Sequence, residues 1–326
     1  MTGPVPSAVM RYVLCALVLG AAACSSTSSS AVPTTAEAAV VATAPSPTTV
    51  ALTAVPSTAV PSTAAVSTTR AVSTTGAVST TGAVSTTAAP STEPARPAWL
   101  GTRQLPLRPD GFGEVQPTPA ELVDRRLPTV DLLPPPAAAD YAATIADVPA
   151  EVVARSTWQE GCPVPLDELR YLTMSFWGFD GRAHTGEMIV HAEVADDVVA
   201  VFGTLYEARF PIEEMRVVSR PELDAPPYGD GNNTTAFSCR PATQSTSWSQ
   251  HALGLAVDVN PFHNPYQRGD LVLPELASAY TDRSHVRPGM IEAGDPVTEV
   301  FAGIGWGWGG TWQSLTDPMH FSRNGR

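Results

Sequence analysis

The chain of 326 residues contains no lysine, and all 19 of its basic residues are arginine. That absence removes every lysine-dependent chemistry, including Ser-Lys dyads, Schiff bases and P-loop phosphate cradles. Positive charge is scarce too, at a formal net charge of −13. Phosphate binding needs a basic face, so nucleic acid is excluded as a partner. The same acidity means that bulk electrostatics does not hold the protein to an anionic wall or membrane. Cysteine is limited to 4 residues, none in a CxxC spacing, which argues against a thiolate metal site. The apolar run from Tyr12 to Ala23 is too short to cross a bilayer comfortably as a retained helix.

What is present begins with an export signal. Arg11 precedes the apolar run, and Ala21-Ala22-Ala23 precede Cys24, so residues 1–23 read as a signal peptide. The cysteine after three alanines resembles a bacterial lipobox, in which Cys24 becomes a lipidated first residue anchored in the membrane. Ala21 departs from the leucine usual in such boxes, and free secretion to the cell wall is the alternative. Either route takes the protein out of the cytoplasm. Cys15 leaves with the signal, so Cys162 and Cys239 remain as an even pair in an oxidising compartment and are expected to form a disulfide. Two buried thiols are the competing possibility.

Residues 24–98 are almost entirely Ala, Val, Pro, Ser and Thr, with repeated copies of Ala-Val-Ser-Thr-Thr. Nothing large is available to stack, so a disordered tether is expected rather than a β-solenoid. At ~3 Å per residue such an arm reaches on the order of 200 Å. Residues 99–151 bring back large apolar residues among prolines and read as an ordered lead-in that wraps the next domain. Short helices are expected there near 119–126 and 138–145. Residues 152–326 read as a folded, monomeric domain. Helical spacing is expected at 166–174 and 195–208, and strand alternation at 188–194 and 256–260. In the last, Val257 and Val259 go to the core, and Ala256, Asp258 and Asn260 share the cleft side. The expected class is α+β, with a small antiparallel sheet and helices packed to one side.

Two short stretches carry the chemistry. Ser249-Gln-His251-Ala-Leu-Gly254-Leu-Ala-Val-Asp258 and Asp317-Pro-Met-His320 together supply two imidazoles and two carboxylates. That is the inventory of a catalytic zinc site with three protein ligands, His251, Asp258 and His320, and Asp317 as a base. A lone histidine beside a glycine is more often a hydrogen-bonded structural residue, but four such residues in two short motifs favour a metal. His184 and Glu187 could line a cleft or belong to a turn entering a strand. His191, His263 and His285 read as structural or solvated.

The first stretch, with Asn260-Pro261 and Asn264-Pro265-Tyr266 after it, resembles the metal motif of the zinc D-alanyl-D-alanine carboxypeptidase-like peptidases. Gly305-Trp306-Gly307-Trp308-Gly309-Gly310-Thr311-Trp312 and Asp317-x-x-His320-Phe321 are similar to that family's second block. The resemblance runs from about Ser156 to Phe321. It implies a core shared with hedgehog-type domains and an exported zinc peptidase acting on peptidoglycan stem peptides, as a carboxypeptidase or as an endopeptidase. By it, His251, Asp258 and His320 bind zinc, Asp317 is general base and acid, and Arg240 faces the substrate. Arg240 would hold an oxyanion or a substrate carboxylate; a surface ion pair is its bland alternative. Ser249 would contact substrate or orient His251, and Trp306, Trp308 and Trp312 would pack the cleft floor, with Trp306 and His184 among the substrate contacts. Asp317 stands where several relatives carry Glu, so the backbone must bring the shorter side chain closer. A catalytically silent zinc-containing wall-binding module is the rival expectation.

Overall fold

The computed structural model describes residues 95–326; the expected signal peptide, Cys24 and nearly all of the tether lie outside the described residues. In chain order the elements are β1 (Ala143–Ala146), α1 (Ala150–Arg155), β2 (Leu169–Trp177), β3 (Ala183–His191), α2 (Ala195–Glu207), β4 (Glu214–Met215) and α3 (Arg220–Leu223). Then come β5 (Asn233–Thr234), β6 (Ala256–Asp258), β7 (Tyr266–Arg268), β8 (Leu271–Leu273), α4 (Pro296–Gly303), β9 (Gly307–Trp308) and β10 (His320–Ser322). The strands form two three-stranded antiparallel sheets, ordered β1-β2-β3 and β6-β10-β9, and two smaller pairs. The fold is α+β, with small, mainly antiparallel sheets; α2 packs on one face of β1-β2-β3 and Val152 of α1 on the other, so the helices are not confined to one side as expected.

The helix expected over 166–174 is instead a 3-10 turn, Leu166–Glu168, followed by strand β2. Leu172, Met174 and Phe176 join the cluster that includes α2, while Leu169 and Tyr171 pack with Val152, Val217 and Phe237 on the other face. A strand covered on both faces loses its polar alternation, and Leu166, Leu169 and Leu172 mimic a helical stripe. The expected helix over 138–145 is likewise corrected: Ala143–Ala146 is an edge strand, with Thr144 and Thr173 hydroxyls 2.7 Å apart across the pair. Near 119–126 only one 3-10 turn forms, Ala120–Leu122. β3 starts five residues before the expected 188 and ends at His191.

Helix α2 follows its spacing. Val198, Val201, Phe202, Leu205 and Tyr206 are buried on one stripe, and Asp196 and Asp197 lie in the first turn, where the helix dipole favours negative charge. α4 starts on Pro296, with Asp295 accepting the Thr298 N–H at 2.8 Å as the N-cap. It delivers Phe301 onto Phe321, the rings stacked at 4.0 Å, and so fixes the core face of β10. Because neighbours on a strand point to opposite faces, His320 is turned outward.

The lead-in does more than wrap. Leu105, Leu122 and Leu127 are buried with Phe262, Leu276, Tyr280 and Met290 in a cluster of their own. Arg125 is buried among them. Its Nε and Nη2 donate to the Glu213 carboxylate at 2.7 and 2.8 Å, and its Nη1 donates to the Asp230 carbonyl at 2.7 Å. A disulfide joins Cys162 to Cys239 across 77 residues, a closure worth about 4.5 kcal/mol in the chain-entropy account.

Candidate metal centre and cleft

Pairing of β6 with β10 sets His320 directly opposite Asp258. Cross-strand neighbours on one face lie close enough for side-chain contact, and His320 Nδ1 is 3.0 Å from Asp258 Oδ1. His251 comes from the 3-10 turn Gln250–Leu253 before β6, and its Nε2 lies 3.1 Å from both Asp258 Oδ2 and His320 Nδ1. Gly254 ends that turn at φ +67°, and a Cβ there would come within 2.5 Å of the His191 nitrogen. Only glycine lets the turn dock on the end of β3. The Ser249 hydroxyl accepts the His251 N–H at 3.2 Å, so Ser249 caps the turn as well as lining the cleft.

The three side chains suit a cation. His251 Nδ1 donates to the Ala236 carbonyl at 2.6 Å, which leaves the Nε2 lone pair of the neutral ring facing His320 and Asp258. One nitrogen from each imidazole and one oxygen from the carboxylate lie within 4.8 Å of one another. Unprotonated nitrogens facing each other and a carboxylate repel unless a positive centre sits between them, so the group could hold a metal ion. Burial would raise the Asp258 carboxyl, but in the metal-free chain protonated His251 and His320 rings attract and hydrogen-bond the carboxylate and hold it well below the usual range, a charge that a metal ion would replace.

Asp317 completes the group. Its carbonyl accepts the His320 N–H at 3.0 Å, a single turn that sets both side chains at the cleft. At Gly309 a Cβ would lie 2.5 Å from that same carbonyl, so the glycine-rich run is what admits the Asp317 backbone. Asp317 Oδ1 is buried without a hydrogen-bond partner. Burial pushes its carboxyl up to about 7, with His320 opposing, Asp258 adding and Arg240 opposing. Arg240 follows Cys239, makes no ion pair among the described residues, and its guanidinium donates to the Pro241 carbonyl at 3.1 Å.

Two cavities meet here. One of about 310 Å³ reaches past Trp248, Gln250, Trp312 and Arg326 and is lined by all three candidate ligands. The other, about 340 Å³, runs past Pro261, Leu273, Pro274 and Glu275. Arg240, Asp258, Tyr266 and Asp317 line both. Trp248 is half exposed at the rim. Its place immediately before Ser249, and that of Tyr266 after Asn264-Pro265, were the only sequence signals for these two aromatics.

Two expected substrate contacts lie elsewhere. Trp306 is buried in the main core, its ring 5.7 Å from that of Phe301, because its backbone is tied to Phe301 at the end of α4. His184 is buried between Asp131 and Asp180, at 2.7 and 3.1 Å, and latches the lead-in to the β2–β3 hairpin. Glu187 is held by Arg155 and Tyr171. His263 is buried against Phe179, and burial pushes its pKa down to about 4. Of the tryptophans expected on the cleft floor, Trp312 lines the first cavity, whereas Trp308 faces a separate one and donates to the Pro318 carbonyl at 2.8 Å.

No curated protein and no solved structure matches the chain. Residues 243–323, which hold His251, Asp258, Asp317 and His320, match the family model described as D-alanyl-D-alanine carboxypeptidase.

Proposed function

We propose that the chain is an exported zinc peptidase that hydrolyses peptide bonds in peptidoglycan stem peptides, in the manner of D-alanyl-D-alanine carboxypeptidases or of endopeptidases cutting within the stem. One observation carries this reading: the Asp317 carboxylate, its Oδ1 buried and unpartnered, sits at the junction of two cavities, beside two imidazoles and a carboxylate that converge on one point. A purely binding or structural domain has no use for that extra acid.

His251, Asp258 and His320 would hold the metal, which when bound supplies Lewis acidity to the reacting carbonyl and water. Asp317 takes a proton from the attacking water and returns it to the departing amine, for which a carboxyl raised toward neutrality is suited. Arg240 offers N–H donors to the developing oxyanion or to a substrate carboxylate. Export fits the same picture. The sequence of residues 1–23 directs secretion, and the chain either is anchored through a lipid on Cys24 at the outer face of the membrane or is released to the cell wall. The Cys162–Cys239 disulfide suits an oxidising compartment.

The test is digestion of purified peptidoglycan by the mature chain, with and without chelator, and with zinc added back. Peptide-bond cleavage that disappears with chelator and returns with zinc is expected, and product masses identify the bond. Retention on peptidoglycan with no product in the presence of zinc would overturn the reading in favour of a silent wall-binding module.

A further inference from the structure

Glu275 is a buried carboxylate that the proposed chemistry leaves idle. It is 5% exposed and lines the second cavity together with Asp258, Arg240 and Asp317. Its Oε1 accepts the Gly113 N–H at 2.8 Å, and among the described residues no arginine or histidine pairs with it. Two other buried carboxylates are answered by a cation, Glu213 by Arg125 and Glu187 by Arg155, whereas Asp230, which takes the Gly101 N–H, lines neither cavity. A buried carboxylate without a counter-charge is costly unless something that binds supplies one.

Its position is built rather than incidental. The Glu275 carbonyl accepts the Gln116 N–H at 3.2 Å, and the next residue, Leu276, donates to the Gly229 carbonyl at 2.9 Å. A Cβ on Gly113 would sit 2.8 Å from Oε1, and one on Gly229 would lie 3.3 Å from the Glu275 Cβ. Two glycines from distant parts of the chain therefore make room for this side chain. The rest of the wall joins an apolar part, from Pro261, Leu273, Pro274 and Met319, to the charged Arg240, Asp258 and Asp317. Apolar surface next to a carboxylate that the proposed chemistry does not use suits an alkyl chain ending in an ammonium, which buries its methylenes and pairs its head.

The structure assigns Glu275 as the specificity-determining residue of a cationic subsite beside the candidate metal centre, one that takes a primary ammonium group carried by the peptide substrate. The assignment rests on the peptidase reading for its place in turnover, but the pocket binds the ammonium whether or not hydrolysis follows. An ammonium on a side chain and one at a peptide N-terminus share this chemistry, and the test separates them.

The experiment is calorimetric titration of the zinc-supplied mature chain, carrying Asp317→Asn to stop turnover, with and without Glu275→Gln. The glutamine keeps an acceptor for the Gly113 N–H, and thermal melting checks that it folds. Four synthetic stem-like peptides serve as probes: lysine or norleucine at the diamino position, each with a free or acetylated N-terminus. Binding about tenfold tighter is expected for peptides bearing the ammonium, with the advantage lost in the glutamine variant. An advantage that follows lysine assigns the side chain, and one that follows the free terminus assigns the N-terminus. Equal affinity for all four peptides, or a preference that survives Glu275→Gln, would overturn the assignment. Turnover by the unmutated chain is read separately. Hydrolysis with no ammonium preference sinks the subsite and leaves the peptidase standing. Ammonium-dependent binding with no hydrolysis of any peptide sinks the peptidase and leaves the subsite.

Discussion

Two buried charged clusters in this protein are built on opposite terms. Around Arg125, the central pair is answered within the fold: the guanidinium reaches both oxygens of Glu213 and the Asp230 carbonyl, Asn232 adds a bond to Glu213 at 2.9 Å, and Arg96 adds one at 3.3 Å. Around Asp258, atoms are left over: Asp317 Oδ1 and His320 Nε2 are buried with no partner, and the cluster opens on two cavities. A closed network spends its polar groups on stability, and an open one holds them ready for a ligand. Substitutions in the two clusters should therefore move different observables.

The largest effect is expected at the ligands. His320→Ala removes a third of the donor set and should abolish both stoichiometric zinc and peptide hydrolysis, while the circular-dichroism spectrum stays native. Asp317→Asn comes next. It should lower kcat by about 10²–10⁴-fold with zinc content retained, because only proton transfer is lost. Its melting temperature should hold or rise, since a buried unpaired carboxyl is removed. A variant that melted far below the parent would mean that Asp317 belongs with the closed kind of cluster.

Arg125→Met is the mirror case. It leaves the buried Glu213 with only the partly exposed Arg96, 3.3 Å away, as a counter-charge and should cost about 3 kcal/mol in urea unfolding. Adding Glu213→Leu should recover part of that loss, since neither charge then remains buried alone. If kcat fell by as much as in Asp317→Asn while stability held, the distinction between the clusters would be broken from the other side.

The open cluster was readable in the sequence because its parts are local. His251, Gly254 and Asp258 lie within one turn and one strand, and Asp317 and His320 within one turn. Helix α2 was readable for the same reason, as a single stripe at 3.6-residue spacing. The closed cluster was not, because Arg125, Glu213 and Asp230 meet only through the fold of the lead-in. Glu275 was missed on the same ground, its neighbour Gly113 lying 162 residues away. β2 was misjudged because burial on both faces erases the pattern that identifies a strand. Trp306 was misplaced because a glycine-tryptophan run does not show which rings face inward.

The smallest expected effect is a pH dependence in the metal-free protein, and it separates the clusters most finely. Asp317 has a carboxyl raised from 3.8 to about 7, so the folded chain holds a proton there that the unfolded chain has released. Its contribution to stability is full below pH 3.8 and is lost as pH rises through about 7. His263, beside the Arg125 network, has the opposite sign. Its pKa is lowered from 6.5 to about 4, so its contribution is full above pH 6.5 and is lost as pH falls through about 4. The two slopes oppose one another across most of the same range, and the parent's melting curve alone would hide both. The difference between the parent and Asp317→Asn removes the His263 part, and it should show the parent losing relative stability between pH 5 and pH 7.5, as followed by chelator-treated thermal melts. A flat difference over that interval would mean that the Asp317 carboxyl ionises as an ordinary surface acid does, and the proton transfer proposed for it would lose its physical basis.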